Sequence, residues 1–230
     1  MIRYLNRSDI PIYSIFGLTL LPMAILCYQG RLSLGSISPI PLFLLLLAIL
    51  FSSKIEIPIK KIRTIKSENL AGDARGLEQA YGVPVQEELK GHQRRTFDTI
   101  ITLNLGGFII PTITIAYLLF TGPVTSALEI MLIMIVATSL LAEMVNGIGI
   151  TVPDHIWIIA VPFAFLLSPN NAPMIIFISS IGGILIGTIV TLIRFNKEEK
   201  GSAYINLGGV GSIKAIYTSA MVASLISYFI

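Results

Sequence analysis

The stretch PMIIFISSIGGILIGTIVTLI, Pro173–Ile193, runs for 21 residues without a single charged side chain. The hydrocarbon core of a bilayer asks for roughly 20 apolar residues in helical form, so this stretch reads as a membrane span. Six more apolar segments surround it: Pro11–Gln29, Ile37–Ser53, Ile100–Thr121, Ser126–Val145, Asp154–Ser168 and Ile213–Ile230. The second and fifth are short and call for a thin local bilayer or extended flanking residues. Across all 230 residues, 54% are hydrophobic and 13% charged, against about 25% charged in an ordinary soluble domain. A soluble fold of this size could not hide so much apolar surface. The predicted fold class is therefore an all-α membrane protein, a bundle of about seven transmembrane helices with glycine-rich, broken helix starts and a small cytoplasmic lobe.

The net charge of +3 does not point to nucleic acid, because the basic residues gather between the apolar segments. Arg3 and Arg7 precede the first segment, nine basic residues lie between Lys54 and Arg95, and Arg194, Lys197 and Lys200 follow the sixth segment. The opposite side holds Arg31 alone, so the positive-inside rule places the N-terminus in the cytoplasm and the C-terminus outside the cell membrane. The first apolar stretch is too long for a signal core and lacks a small-residue cleavage site, so it is expected to stay as a helix. The division that follows is two N-terminal helices over 1–53, a basic cytoplasmic loop or lobe over 54–96, and a five-helix bundle over 97–230. Within the lobe, Ile55, Ile57 and Ile59 alternate with Glu56, Pro58 and Lys60, a half-buried strand pattern. A short helix is expected over Gly72–Tyr81 and a second strand at Val83-Pro84-Val85. The basic residues of the lobe suit anionic lipid headgroups as well as topology.

One internal echo stands out. Leu103-Asn104-Leu105-Gly106-Gly107 returns as Ile205-Asn206-Leu207-Gly208-Gly209, ahead of the third and the last apolar segments, and Asn146–Pro153 leads into the fifth with Gly147 and Gly149. In the topology above these three helices all start at the cytoplasmic face. A helix start has unpaired N–H groups and partial positive charge, and glycine lets backbone approach a ligand closely. Asn104, Gly106, Gly107, Asn206, Gly208, Gly209, Gly211 and Lys214 are thus candidate ligand-binding residues, with Glu143, Asp154 and His155 as supporting polar groups. The bland reading is that the glycines only allow close packing. The single Cys27 excludes an intramolecular disulfide or a cysteine-rich metal site, and two histidines are too few for a histidine centre, so no metal and no cofactor are expected. No phosphate-binding glycine loop, zinc helix or nucleophile elbow is present, and no pair of carboxylates lies in the middle of two spans.

Ile57-Pro58, Leu103–Pro111, Gly147–Pro153, Gly183-Ile184-Leu185-Ile186-Gly187 and Leu207–Gly211, taken in order, resemble an uncharacterised family of prokaryotic integral membrane proteins, the domain of unknown function sixteen-fourteen. The resemblance implies a shared fold and membrane location, without an assigned activity. It also implies an Asp after the glycine run of the sixth span and another early in the seventh. Here those positions read Ile189 and Lys214. Three functions stay open. The first is a non-enzymatic protein with a cytoplasm-facing polar pocket for a small anionic solute or a lipid headgroup, with transport as one use of it. The second is a structural or accessory subunit, as a homo-oligomer or beside a membrane partner. The third is an inactive relative of an intramembrane aspartyl protease-like enzyme.

Overall fold

Pro39 and Pro41 sit in the first turn of their helix, where a missing N–H costs nothing, and Pro169 opens its helix in the same way. With these starts, seven helices form among the described residues of the computed structural model, which are 9–65, 96–122, 124–145, 148–196, 202 and 204–230. They are α1 (Asp9–Tyr28), α2 (Pro39–Ser52), α3 (Leu105–Thr121), α4 (Val124–Leu141), α5 (Ile156–Leu167), α6 (Pro169–Arg194) and α7 (Ile213–Ile226). The protein is mostly helical. Two of the helices are locally widened: α3 begins with a π-turn over Leu105–Ile109, and α6 contains one over Phe177–Ile181. Helix α6 spans 26 residues at a mean hydropathy of 2.3, long and apolar enough to cross a bilayer, and the other six are shorter.

The all-α expectation needs correction, because the chain also builds two sheets. Strands β1 (Glu56–Ile65), β2 (Thr96–Asn104) and β5 (Tyr204–Leu207) form one sheet in the order β1-β2-β5, and β3 (Glu143–Val145) pairs with β4 (Gly149–Thr151) in a hairpin. Residues 100–104, predicted as the start of the third helix, are strand. An apolar run of this kind has no periodicity that separates a buried strand from a helix. The alternation at Ile55–Lys60 does become strand. The helix expected over Gly72–Tyr81 and the strand at Val83–Val85 lie outside the described residues.

β1 runs antiparallel to β2, from Glu56 opposite Asn104 to Ile65 opposite Thr96, and the register skips a residue between Pro58 and Lys60. β2 runs parallel to β5, with Thr102 opposite Asn206 and Leu103 opposite Leu207. Side chains alternate between the faces of a sheet, so Leu103, Leu207, Ile101 and Ile205 share one face and Glu56, Thr102, Asn104 and Asn206 the other. The apolar face packs on Met144 and Ile150 of the hairpin and on Leu192 and Phe195 at the end of α6. At the far end of the sheet Thr64 and Thr99 share a hydroxyl hydrogen bond of 2.6 Å, and Thr99 donates to the Ser202 carbonyl.

In the bundle, α6 is the central element, buried from Ala172 to Leu185 and packed on α4 and α7. Its hydroxyls, and those of its neighbours, turn inward. Ser180, Ser219 and Ser224 are buried and donate to the carbonyl four residues back, which satisfies them without a partner helix. The large apolar side chains Leu18, Leu44, Ile113, Phe120, Leu132, Leu140, Leu166 and Ile193 point outward and are exposed.

These contacts set the cost of added side chains. A Cβ on Gly183 would overlap Met134 of α4, backbone included, whereas one on Gly17 of α1 meets nothing within 4 Å. We expect Gly183→Ala to cost about 1–3 kcal/mol through overpacking, and Gly17→Ala to be neutral or stabilising by up to about 1 kcal/mol. Thermal melting of the two variants in detergent checks the contrast, and equal behaviour would contradict the packing described.

Candidate functional site

The echoed sequence folds twice into the same unit, a strand that turns through a glycine corner into a helix. β2 passes through Gly106 and Gly107 into α3, and β5 passes through Gly208 and Gly209 toward α7. The two strands are parallel neighbours, so the two corners meet. A Cβ on Gly107 would overlap the Gly208 carbonyl, and one on Gly106 would overlap the backbone of α2 at Ile49 and Ser53. Gly208 also needs its positive φ of 74°, which side chains disfavour. β4 joins the same group: Gly149 lies against Tyr204, and the Val152 N–H donates to the Gly211 carbonyl at 2.8 Å. All three predicted helix starts therefore converge on one region of the fold.

Several of the helix-start N–H groups expected to hold a ligand already have partners. Asn104 is extended, with φ −81° and ψ 132°, and its Oδ1 accepts from the Gly107 N–H at 2.8 Å, the cap geometry its side chain favours. The Leu105 N–H donates to the Ile55 carbonyl, and the Ser212 and Ile213 N–H groups both donate to the Gly209 carbonyl. Asn104 Nδ2 donates to the Ser53 carbonyl at 2.6 Å, so this one amide ties α2, β2 and α3 together.

Beside these corners lies a compact polar group on one face of the sheet. Thr102 Oγ1 is 2.6 Å from Asn206 Oδ1 and 3.1 Å from Glu56 Oε2, which places its single proton between an amide oxygen and a carboxylate. Glu56 is 7% exposed, Asn206 is buried to the same degree, and Asn104 is fully buried. Gly209 faces the group: a Cβ there would come within 3.3 Å of Glu56 Oε1 and 3.6 Å of Asn104 Nδ2. Farther out on the sheet a cavity of about 400 Å³ is lined by Lys61, Ile62, Arg63, Asp98 and Ile100, where Arg63 and Asp98 pair at 3.6 Å.

The predicted site residues thus fall into three sets. Asn104, Asn206 and Gly209 gather with Glu56 and Thr102. Gly106, Gly107, Gly208 and Gly211 sit against backbone, and the place where ligand was expected is filled by the chain itself. Lys214 turns to Asp154, with Nζ 3.8 Å from Oδ2 and both side chains substantially exposed, and Thr218 Oγ1 donates to the Asp154 and Lys214 carbonyls. Glu143 is exposed on β3 and His155 is exposed ahead of α5. Glu56 and Thr102 are the residues that the sequence reading missed. The β1 alternation pointed the other way for Glu56, since it suggests inward isoleucines, whereas Ile57 and Ile59 are exposed and Glu56 is buried. Among the described residues no group of three or more His, Cys, Asp or Glu is placed to hold a metal ion.

A carboxylate, two carboxamides and a hydroxyl can hold a ligand by hydrogen bonds. The family model described as "Protein of unknown function (DUF1614)" matches residues 50–226. No curated protein and no solved structure matches the chain.

Removing the Thr102 hydroxyl takes a buried donor from between Glu56 and Asn206. Thr102→Val is expected to destabilise by about 1–3 kcal/mol. Thr112→Val, at an exposed helix position whose hydroxyl only back-bonds to Phe108, should change stability by less than about 0.5 kcal/mol. Melting temperatures of the two variants test whether the polar group is as closely joined as its distances indicate.

Proposed function

The chain belongs to the DUF1614 family of proteins of unknown function, and from that premise we propose that it is a non-enzymatic integral membrane protein of seven spans. Its cytoplasmic sheet would offer Glu56, Thr102 and Asn206 to a small hydrogen-bonding solute or a lipid headgroup, with the Asn104 amide holding the backbone beside them. The observation that carries the membrane reading is that the helices are apolar outside as well as inside: the core is apolar, and Leu18, Leu44, Phe120, Leu140 and Ile193 are exposed. In water a monomer rarely exposes contiguous apolar patches beyond a few hundred Å², whereas lipid is a suitable solvent for such a surface. Charges support it, since among the described helices they fall only near ends: Asp9, Glu129, Arg194 and Lys214. Short helices fit a bilayer if their inner ends continue as paired strands, as α3 does through β2, which is paired with β1 on one side and β5 on the other.

Gly209 supports the binding reading. Its missing side chain keeps backbone, rather than a Cβ, beside Glu56 and Asn104. The ligand class shifts from the bare anion first expected. Glu56 adds acceptor oxygens to the group, and the positive charge assigned to it, Lys214, is turned to Asp154. A ligand bearing hydroxyl or ammonium donors suits this set better. The accessory-subunit reading draws on the filled corners at Gly106, Gly107 and Gly208. The protease-like reading is weakest, because α6 and α7 contain no acidic residue at all.

Two measurements test the proposal. Cysteines introduced at Lys60 and Arg31 should react with an impermeant reagent from the cytoplasmic and the outer side respectively; the reverse pattern overturns the topology. In detergent, glycerol or ethanolamine should raise the melting temperature, inorganic phosphate should not, and Gly209→Ala should abolish the shift. If neither probe stabilises the intact protein, the binding reading fails and the accessory reading takes its place.

A further inference from the structure

The first half of β1 carries an unusual combination of side chains. It is an edge strand, paired only with β2 among the described residues. Ile57 and Ile59 are 43% and 58% exposed, and the flanking Pro58, Lys60 and Lys61 are exposed as well. Pro58 has no N–H to offer a further strand, and the register skip around Ile59 is a bulge, which bends a strand and re-aims a side chain. These features discourage strand addition at this edge. They leave two branched apolar side chains facing outward with cations beside them.

The position of this segment supplies its partner. It follows directly on α2, whose last turn still exposes Phe51. Lys54 holds its ammonium 4.9 Å from the centre of the Tyr13 ring, and the Tyr13 hydroxyl is 2.7 Å from Ser53 Oγ. A tyrosine and a lysine at the end of an apolar helix are the side chains that mark a membrane–water boundary. Ile57 is about 10 Å of extended chain beyond Lys54. We propose that Ile57–Lys61 rests on the cytoplasmic surface of the bilayer, with Ile57 and Ile59 against the headgroup layer and Lys60 and Lys61 bound to anionic phospholipid. Branched apolar side chains gain by leaving water, and lysine stems can fold back so that the ammonium groups reach phosphate. Arg63, two positions further, is paired with Asp98 and takes no part.

The inference rests on the membrane reading, and one experiment separates the two. Cys27 is the only cysteine and is buried, so Cys27→Ala gives a background for single spin labels at residues 44, 59 and 63. The labelled protein is placed in nanodiscs of phosphatidylcholine, with or without phosphatidylglycerol. The label at 44 should contact oxygen-rich lipid in both. The label at 59 should lose access to a water-soluble nickel chelate several-fold when phosphatidylglycerol is present, and Lys60→Gln with Lys61→Gln should restore that access. The label at 63 should stay in water. A water-accessible label at 44 defeats the membrane reading itself. A lipid-facing label at 44 with no response to phosphatidylglycerol at 59 overturns the present inference alone. As a measure independent of labelling, phosphatidylglycerol co-extracted with the unlabelled protein should fall several-fold in the double lysine variant and stay unchanged in Arg63→Gln.

Discussion

Everything at the sheet end of the fold depends on the contact between Gly107 and Gly208. Two parallel strands, β2 and β5, each turn into a helix at the same level, and the two turns touch through backbone alone. A side chain on either glycine would push α3 from α7. With the contact kept, Thr102 stands opposite Asn206, Asn104 caps α3, and Gly209 is carried over the polar group. The corners are thus the joint through which a sheet is fastened to a helical bundle. Their glycines are spent on that joint, and the polar side chains beside them are the part left over for another task.

That division bears on why polar residues are there at all. A buried carboxylate is not a stabilising choice in itself, since well-packed apolar side chains of similar volume often do as well or better. Glu56, Thr102 and Asn206 line one face of a sheet whose opposite face is apolar, with Ile62, Ile101 and Ile205 packed on the β3–β4 hairpin. The fold evidently can bury an apolar sheet face. Asn104 has a structural reason for its amide, because both ends of it hold backbone. Nothing comparable accounts for the hydroxyl of Thr102 or the amide of Asn206, and this difference directs the functional reading to them.

Much of the helical part was legible from the sequence. Each of the seven apolar segments contains a helix, and the echoed Asn-Leu-Gly-Gly, read only as a recurrence, turned out to mark two copies of one strand–corner–helix unit side by side. The strands were harder to see. Ile100-Ile101-Thr102-Leu103 continues directly into an apolar helix, and no periodicity in so short a run separates strand from helix. β5 is four residues long and exists because β2 is beside it, a long-range fact that no local pattern carries. Glu56 was overlooked for a related reason: alternation in β1 shows that two faces differ, and only the partner strand shows that the glutamate side is the one covered by Asn104 and Asn206. Lys214 was drawn toward the glycines by its place in sequence, whereas one turn of helix carries it round to Asp154.

The sheet also changes what the apolar segments need to be. A span made only of helix must supply about 20 residues at 1.5 Å each. α2 has 14 and is followed, after three residues, by β1; α3 has its π-turn and is preceded by β2. Extended chain rises about 3.3 Å per residue, so a few strand residues replace twice their number in helix, provided their backbone groups are paired. In β2 they are paired on both sides, by β1 and by β5. In the proposed membrane setting, the pairing that makes the sheet is therefore what would let short helices meet a polar boundary, and it gathers amide, hydroxyl and carboxylate on the sheet rather than at the centre of the bundle.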